Sequence, residues 1–264
     1  PFDNVGVQYG LKALNDGVIS KAQFIDLNTR VGGYDPDANY VAARSVGDRR
    51  AIEAAYRSGV MMSGAGGLKD LPILDYSGIY SDLRESGDFH MKHHHFSVRE
   101  RLKRWNGGAD NHVMWSDGGR QQGAPDQTQA EALTAMDRWL VAIAGDGKPG
   151  ARAERTLRNK PETLKDGCFT PGADRRFIAE PQTPYSDTAC NKLYPTHSHP
   201  RGVAGAPLSA DVLKCALKPL DRADYRVEFT AGEWSQLKAA FPKGVCNWAK
   251  PGVGQQPVRP WSRW

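Results

Sequence analysis

Apolar positions recur every three or four residues in several stretches, and turn residues separate those stretches. In "DRRAIEAAYRSG", Ile52, Ala55 and Tyr56 share one face, with Asp48 as N-cap and Gly59 as terminator. "SKAQF" pairs Ser20 with Gln23 as a capping box for a helix reaching about Arg30 and stopping at Gly32-Gly33. Residues 5–14 read as a shorter helix that ends near Gly17. "FSVRERLKRWNGG" turns Phe96, Leu102 and Trp105 inward and stops at Gly107. The clearest helix is "APDQTQAEALTAMDRWLVAIAGD", with Asp126 as N-cap and Leu133, Met136, Leu140 and Ile143 at helical spacing.

Two short apolar runs, "LPILDYSGIYSD" and "ADNHVMWSD", read as strands. Strand, helix, strand, helix predicts an α/β layer with a parallel sheet. From about residue 150 the texture shifts to loop and turn, ending in helices over "SADVLKCAL" and from Thr230, boxed by Glu233, to Phe241. The expected division is a helical segment over 1–70 joining or capping the core, core strands and helices over 71–150, and an extension over 151–264 packed on that core.

Composition narrows the class. Hydrophobic content of 39% with 28 Gly and 17 Pro suits defined elements on long connections, and seven Trp with nine Tyr argue against disorder. The net charge of +5 is spread without a Lys/Arg block, so nothing points to nucleic acid as a partner. No apolar run is long enough to span a membrane. The four cysteines, Cys168, Cys190, Cys215 and Cys246, form no C-x-x-C, and an even set in a Pro- and Gly-rich region favours two disulfides in a secreted or periplasmic protein. Four buried thiols in a cytosolic protein is the competing reading. Of three possible pairings, the sequential one, Cys168–Cys190 and Cys215–Cys246, closes the short loops and is expected. The chain opens on Pro1 with no initiator Met or signal peptide, so the expectation is a processed chain with a segment upstream.

The phrases "DNVGVQYGLKAL", "FIDLNTRVGGYD", "LPILDYSGIYSD", "HHFSVRERL", "NGGADNHVMW", "AGAPLSADVLKCALKPLDRADY" and "FPKGVCNWAKPGV" cover nearly the whole chain. They resemble a family of secreted bacterial proteins related to the α/β-hydrolases, with tannase-like esterases as more distant relatives. The resemblance implies that this is the C-terminal part of such a fold, a partial parallel sheet with helices followed by a disulfide-stapled extension. It also implies acyl transfer to water from an ester substrate, with no metal or organic cofactor. No Gly-x-Ser-x-Gly elbow occurs, and Ser58 and Ser63 in "RSGVMMSGAGG" lack its glycines. The nucleophile is therefore expected on an N-terminal segment or partner chain of the same protein.

The resemblance implies an acid just past a late strand, which makes Asp82 the first choice, Asp75 within the strand the second and Asp88 the third. The loop after the next strand, "NHVMWSDGGRQQG", offers no histidine beyond His112, which opens the strand. The base is then sought in "HMKHHHF", where His90 and His94 match the family pattern and His93 and His95 look like local additions. A metal reading of His90 and His94, four apart on one helical face, needs a third or fourth ligand, for which only Asp82 and Asp88 are near enough in sequence, and has the like charge of Lys92 beside it. The basic run Arg99, Arg101, Lys103 and Arg104 reads as a solvated face, and Trp105, Trp115 and Trp139 as core. The terminal "RPWSRW" reads as a tail docked on its own domain or frayed. A non-catalytic binding or structural module of hydrolase ancestry is the alternative, since a fold does not establish a function.

Overall fold

A computed structural model describes residues 3–77, 80, 82, 90–118 and 127–257. Asp88, the Asp126 cap and the terminal "RPWSRW" lie outside these residues. The chain divides into two compact units, Pro1–Ser63 with Ser198–Trp264, and Gly64–His197.

The first unit opens with α1 (Leu11–Asn15), α2 (Lys21–Arg30), the antiparallel pair β1 (Gly33–Tyr34) and β2 (Tyr40–Val41), and α3 (Arg49–Ser58). Ser20 and Gln23 form the expected capping box, and the Asp48 carboxylate accepts the Ala51 N–H. Helix is confined to α1 within the 5–14 stretch, because Gly6 and Gly10 hold positive φ and the Asn28 side chain bonds both the N–H and the carbonyl of Tyr9.

The second unit holds β3 (Ile73–Ser77), α4 (His93–Asn106), β4 (His112–Ser116), α5 (Gln127–Gly145), α6 (Arg152–Arg158), β5 (Gly167–Phe169), β6 (Phe177–Ala179) and α7 (Ala189–Leu193). Its four-stranded sheet runs β3-β4-β5-β6, parallel except for β6. This is the mixed α/β layer that strand–helix alternation predicts. Side chains alternate across it. Leu74, Tyr76, Val113 and Trp115 join a core with Ala132, Trp139 and Phe169, whereas Asp75 and His112 reach side chains of α4. Helices thus cover both faces.

The buried stripe of α5 is Thr128, Ala132 and Trp139; of the expected stripe, Ile143 packs against this core and Met136 is half-buried, while Leu133 and Leu140 face outward. The indole of Trp139 sets this phase: fully buried, it donates Nε1–H to the Thr156 carbonyl at 2.8 Å. Burying a ring of that size contributes roughly 2–3 kcal/mol. In α4, Phe96 and Leu102 are buried as expected, while Trp105 is partly exposed. Gly64 sits where an added Cβ would lie 2.5 Å from the Arg101 main chain, so the glycine-rich link after α3 permits a close approach to α4.

The chain returns to the first unit as α8 (Pro200–Val203), β7 (Ala216–Lys218), α9 (Ala231–Ala240) and β8 (Val245–Asn247), with β7 antiparallel to β8. "SADVLKCAL" is therefore turn and strand, not helix. The Tyr56 hydroxyl donates to the Asp211 carbonyl and accepts the Leu213 N–H, taking backbone groups a helix would need. Thr230 and Glu233 form the expected box for α9, whose Leu237 packs with Phe24, Tyr225, Phe229 and Phe241.

Both disulfides, Cys168–Cys190 and Cys215–Cys246, pair as expected, each within one unit. Closing loops of 22 and 31 residues contributes about 3–4 kcal/mol each in the chain-entropy account. Among the described residues no helix is long and apolar enough to cross a membrane.

Candidate acid–base site

Asp75 lies third in β3, a strand otherwise built from Ile73, Leu74, Tyr76 and Ser77. A carboxylate there needs partners, and α4 and β4 supply them. Nδ1 of His95 lies 2.5 Å from Asp75 Oδ1, and Nε2 of His112 lies 3.3 Å from Oδ2. The strand register explains the second contact. His112 pairs with Ile73, two residues before Asp75 and on the same face.

Arg99, one turn beyond His95, closes the network. Its Nε donates to His112 Nδ1 at 3.0 Å, while its terminal nitrogens fork onto Asp166 at 2.6 and 2.9 Å. Asp166 also accepts the N–H groups of Met114 and Gln182. Arg99 and Asp166 side chains are 12% and 18% exposed, so Arg99 is a buried tie and not part of a solvated basic face. A guanidinium nitrogen only donates. His112 Nδ1 must then accept, its proton resides on Nε2, and that proton points to Asp75.

Burial alone raises the Asp75 carboxyl, but hydrogen bonds from His112 and His95 outweigh it and hold the group well below the ordinary carboxylate range. Asp166 is likewise raised by burial and lowered more by Arg99. An ionised Asp75 orders the His95 proton onto Nδ1 and leaves the Nε2 lone pair available. The His95 side chain is 17% exposed and the His112 side chain fully buried, so of the two rings His95 is the one solvent reaches.

Asp82 sits elsewhere. Its Oδ1 accepts the Lys92 N–H at 2.8 Å at the start of α4, and Oδ2 accepts the His197 N–H at 3.3 Å. That position is the stabilising one for an acid at a helix N-terminus. His90 and His94 are exposed, and His94 stacks on the buried His93 with ring centroids 4.0 Å apart. Lys92 is buried, its ammonium donating to Asn191 Oδ1 at 3.0 Å and the Tyr194 carbonyl at 2.8 Å. Burial pushes its pKa down to about 8, against opposing pulls from Asp82 and Glu180. No group of three or more His, Cys, Asp or Glu suited to a metal ion occurs among the described residues.

The structure therefore gathers Asp75, His95, Arg99, His112 and Asp166, of which only Asp75 ranks as a candidate acid by sequence. Two signals point to the rest. One is a carboxylate inside an apolar strand; the other is His95 and Arg99 spaced i, i+4 on a helix that follows it.

An aspartate ordering an imidazole on a mostly parallel sheet defines a candidate acid–base protein of α/β class. The profile of the tannase-like family of unknown function (DUF6351) matches residues 1–257, and the chain belongs to that family. No curated protein and no solved structure matches it.

Proposed function

We propose that this chain carries the acid–base half of a secreted carboxylic ester hydrolase of α/β-hydrolase ancestry, with Asp75 and His95 as its working pair. The observation that carries this reading is the 2.5 Å contact of Asp75 with His95 Nδ1, which leaves Nε2 of a solvent-reached ring as base. The tannase-like family membership supports ester chemistry, and the two disulfides support an oxidising compartment.

In this mechanism a serine from an N-terminal segment or partner chain of the same protein attacks the ester carbonyl. His95 Nε2 takes the serine proton and passes it to the departing alcohol, and Asp75 stabilises the imidazolium between those steps. Water, deprotonated by the same nitrogen, then releases the acid. His112 and Arg99 do not touch substrate; they hold Asp75 ionised and rotated toward His95.

The assay is turnover of a 4-nitrophenyl ester by the full-length protein. His95→Ala and Asp75→Asn should each lower turnover at least about a hundredfold, as removal of triad members does. The assignment of Asp82 with His90 or His94 predicts the loss in Asp82→Asn, His90→Ala or His94→Ala instead. If none of the five variants falls by more than about tenfold, the chain is a non-catalytic module.

A further inference from the structure

β3 is an edge strand of its sheet, paired among the described residues only with β4. The Ile73 N–H donates to the Asn111 carbonyl and the Ser77 carbonyl accepts the Asp117 N–H, so Ile73, Asp75 and Ser77 turn their main-chain groups toward β4. Leu74 and Tyr76 turn theirs the other way, and no described residue bonds them. Proteins shield such an edge with lysine, proline or a bulge. Ile73–Ser77 contains neither residue, and its register with β4 runs unbroken. All five of its residues are half-buried, whereas every residue of β4 is buried.

The helix over this edge carries a matching apolar surface. α5 packs on β3. One of its flanks, with Glu131, Thr134 and Arg138, faces Pro161, Thr163 and Leu164 on the approach to β5. Leu133, Met136 and Leu140, spaced i, i+3, i+7, form the opposite flank, which therefore points past β3. Leu133 is 65% exposed and Leu140 48%. Unpaired main-chain groups beneath an apolar helix flank make a socket for one more strand, whose alternate side chains under α5 would be apolar.

The position of Asp75 selects the occupant. Asp75 lies in this edge strand, with His95 bonded to it. A strand added to β3 runs about 5 Å away, whereas one added beyond β6 would lie four spacings from β3, about 19 Å. A nucleophile-bearing segment therefore reaches the acid–base pair from the β3 edge. A second copy fits poorly, because antiparallel pairing of Leu74 with Tyr76 between two copies sets two ionised Asp75 carboxylates directly opposite each other. We propose that the free edge of β3 and the leucine flank of α5 dock an apolar strand of the N-terminal segment or chain that carries the nucleophile, extending the sheet beside Asp75. The identity of the occupant rests on the ester-hydrolase reading; the two docking surfaces do not.

The test is photo-crosslinking of the full-length protein carrying Leu140→p-benzoylphenylalanine, with nitrogen-14 and nitrogen-15 preparations mixed before illumination. Peptide masses then separate links within one molecule from links between copies. The expected product is a link of unmixed label to a peptide upstream of Pro1. A mixed-label link, which marks a second copy, overturns the proposal, as does a link confined to residues 1–264 or no link at all. Hydrogen exchange on the unsubstituted full-length protein gives a readout that does not depend on the substitution. The Leu74 and Tyr76 amides should exchange at least about a hundredfold more slowly than unpaired amides, and free exchange at both overturns the proposal. Failure of the dock and failure of the ester reading differ in outcome. An upstream link with slow amides but no ester turnover supports the dock and removes the hydrolase. Turnover lost in His95→Ala with freely exchanging amides does the reverse.

Discussion

Nε of Arg99 donates to Nδ1 of His112 across 3.0 Å, and that bond decides where the proton of a fully buried imidazole resides. His95 and His112 flank one carboxylate from opposite ring positions, so they should hold opposite tautomers: Nδ1–H in His95 and Nε2–H in His112. Nitrogen-15 ring spectra at neutral pH read this directly. A His112 ring carrying its proton on Nδ1 would sink the assignment. Arg99→Leu should release the constraint, exposing His112 to tautomer exchange. It should also cost about 3 kcal/mol, because Asp166 loses its cation.

Asp75 and Asp166 both titrate below their unfolded range, so both add stability that depends on their being ionised. The sign follows from proton binding. Below an unfolded carboxyl value of about 4 the unfolded chain takes up protons first, so this contribution is complete above about pH 5 and is lost as pH falls through the folded values. Asp75→Asn cannot titrate. The stability gap between parent and variant, from urea midpoints, should be widest at pH 7 and shrink steadily toward pH 3. A gap that stays constant with pH would show that the Asp75 charge adds nothing.

The contrast between what could and could not be read in advance has a physical basis. Caps at Ser20, Asp48 and Thr230 are local, so three or four residues carry the whole signal, and each forms as expected. Strands β3 and β4 were visible because apolar runs between turn residues are local too. The phase of α4 was not. Lys92 caps that helix without a side-chain bond, and the carboxylate at its start comes from Asp82, ten positions back. Four histidines in six positions then give no means of telling which ring faces the sheet. Asp166 was hidden for a different reason, since β5 brings it to Arg99 across 67 positions.

Lys92 yields a prediction of opposite direction in pH. Its pKa near 8 lies below the ordinary value of 10.5, so between those limits the unfolded chain is protonated while the folded one is not. Stability carried by this residue must rise with pH across that window. Relative to Lys92→Met, the parent should gain about 3 kcal/mol between pH 8 and 10.5, with the difference cancelling titrations common to both proteins. A flat or falling difference would mean the ammonium is better hydrated than its 2% exposure implies.

An arginine network anchors the end of β4. Asp117, 9% exposed, directly follows β4 and accepts from Arg175 Nε at 3.0 Å and from the Thr128 hydroxyl. Arg175 also forks onto Glu131 at 2.9 and 3.2 Å and lies 3.5 Å from the Phe169 ring centroid. One guanidinium therefore ties the β4 end to the first turns of α5 and to β5. Arg175→Met keeps an apolar stem over Phe169 but strands a buried carboxylate, at a cost of about 3 kcal/mol. Asp117→Asn should cost less, because Arg175 retains Glu131. Adding Asp117→Asn to Arg175→Met should recover part of the loss, a coupling of about 1–3 kcal/mol measured by urea unfolding of all four proteins. Strict additivity would show that the two side chains are neighbours without an energetic link. The β4 end would then depend on main-chain pairing with β3 and β5 alone.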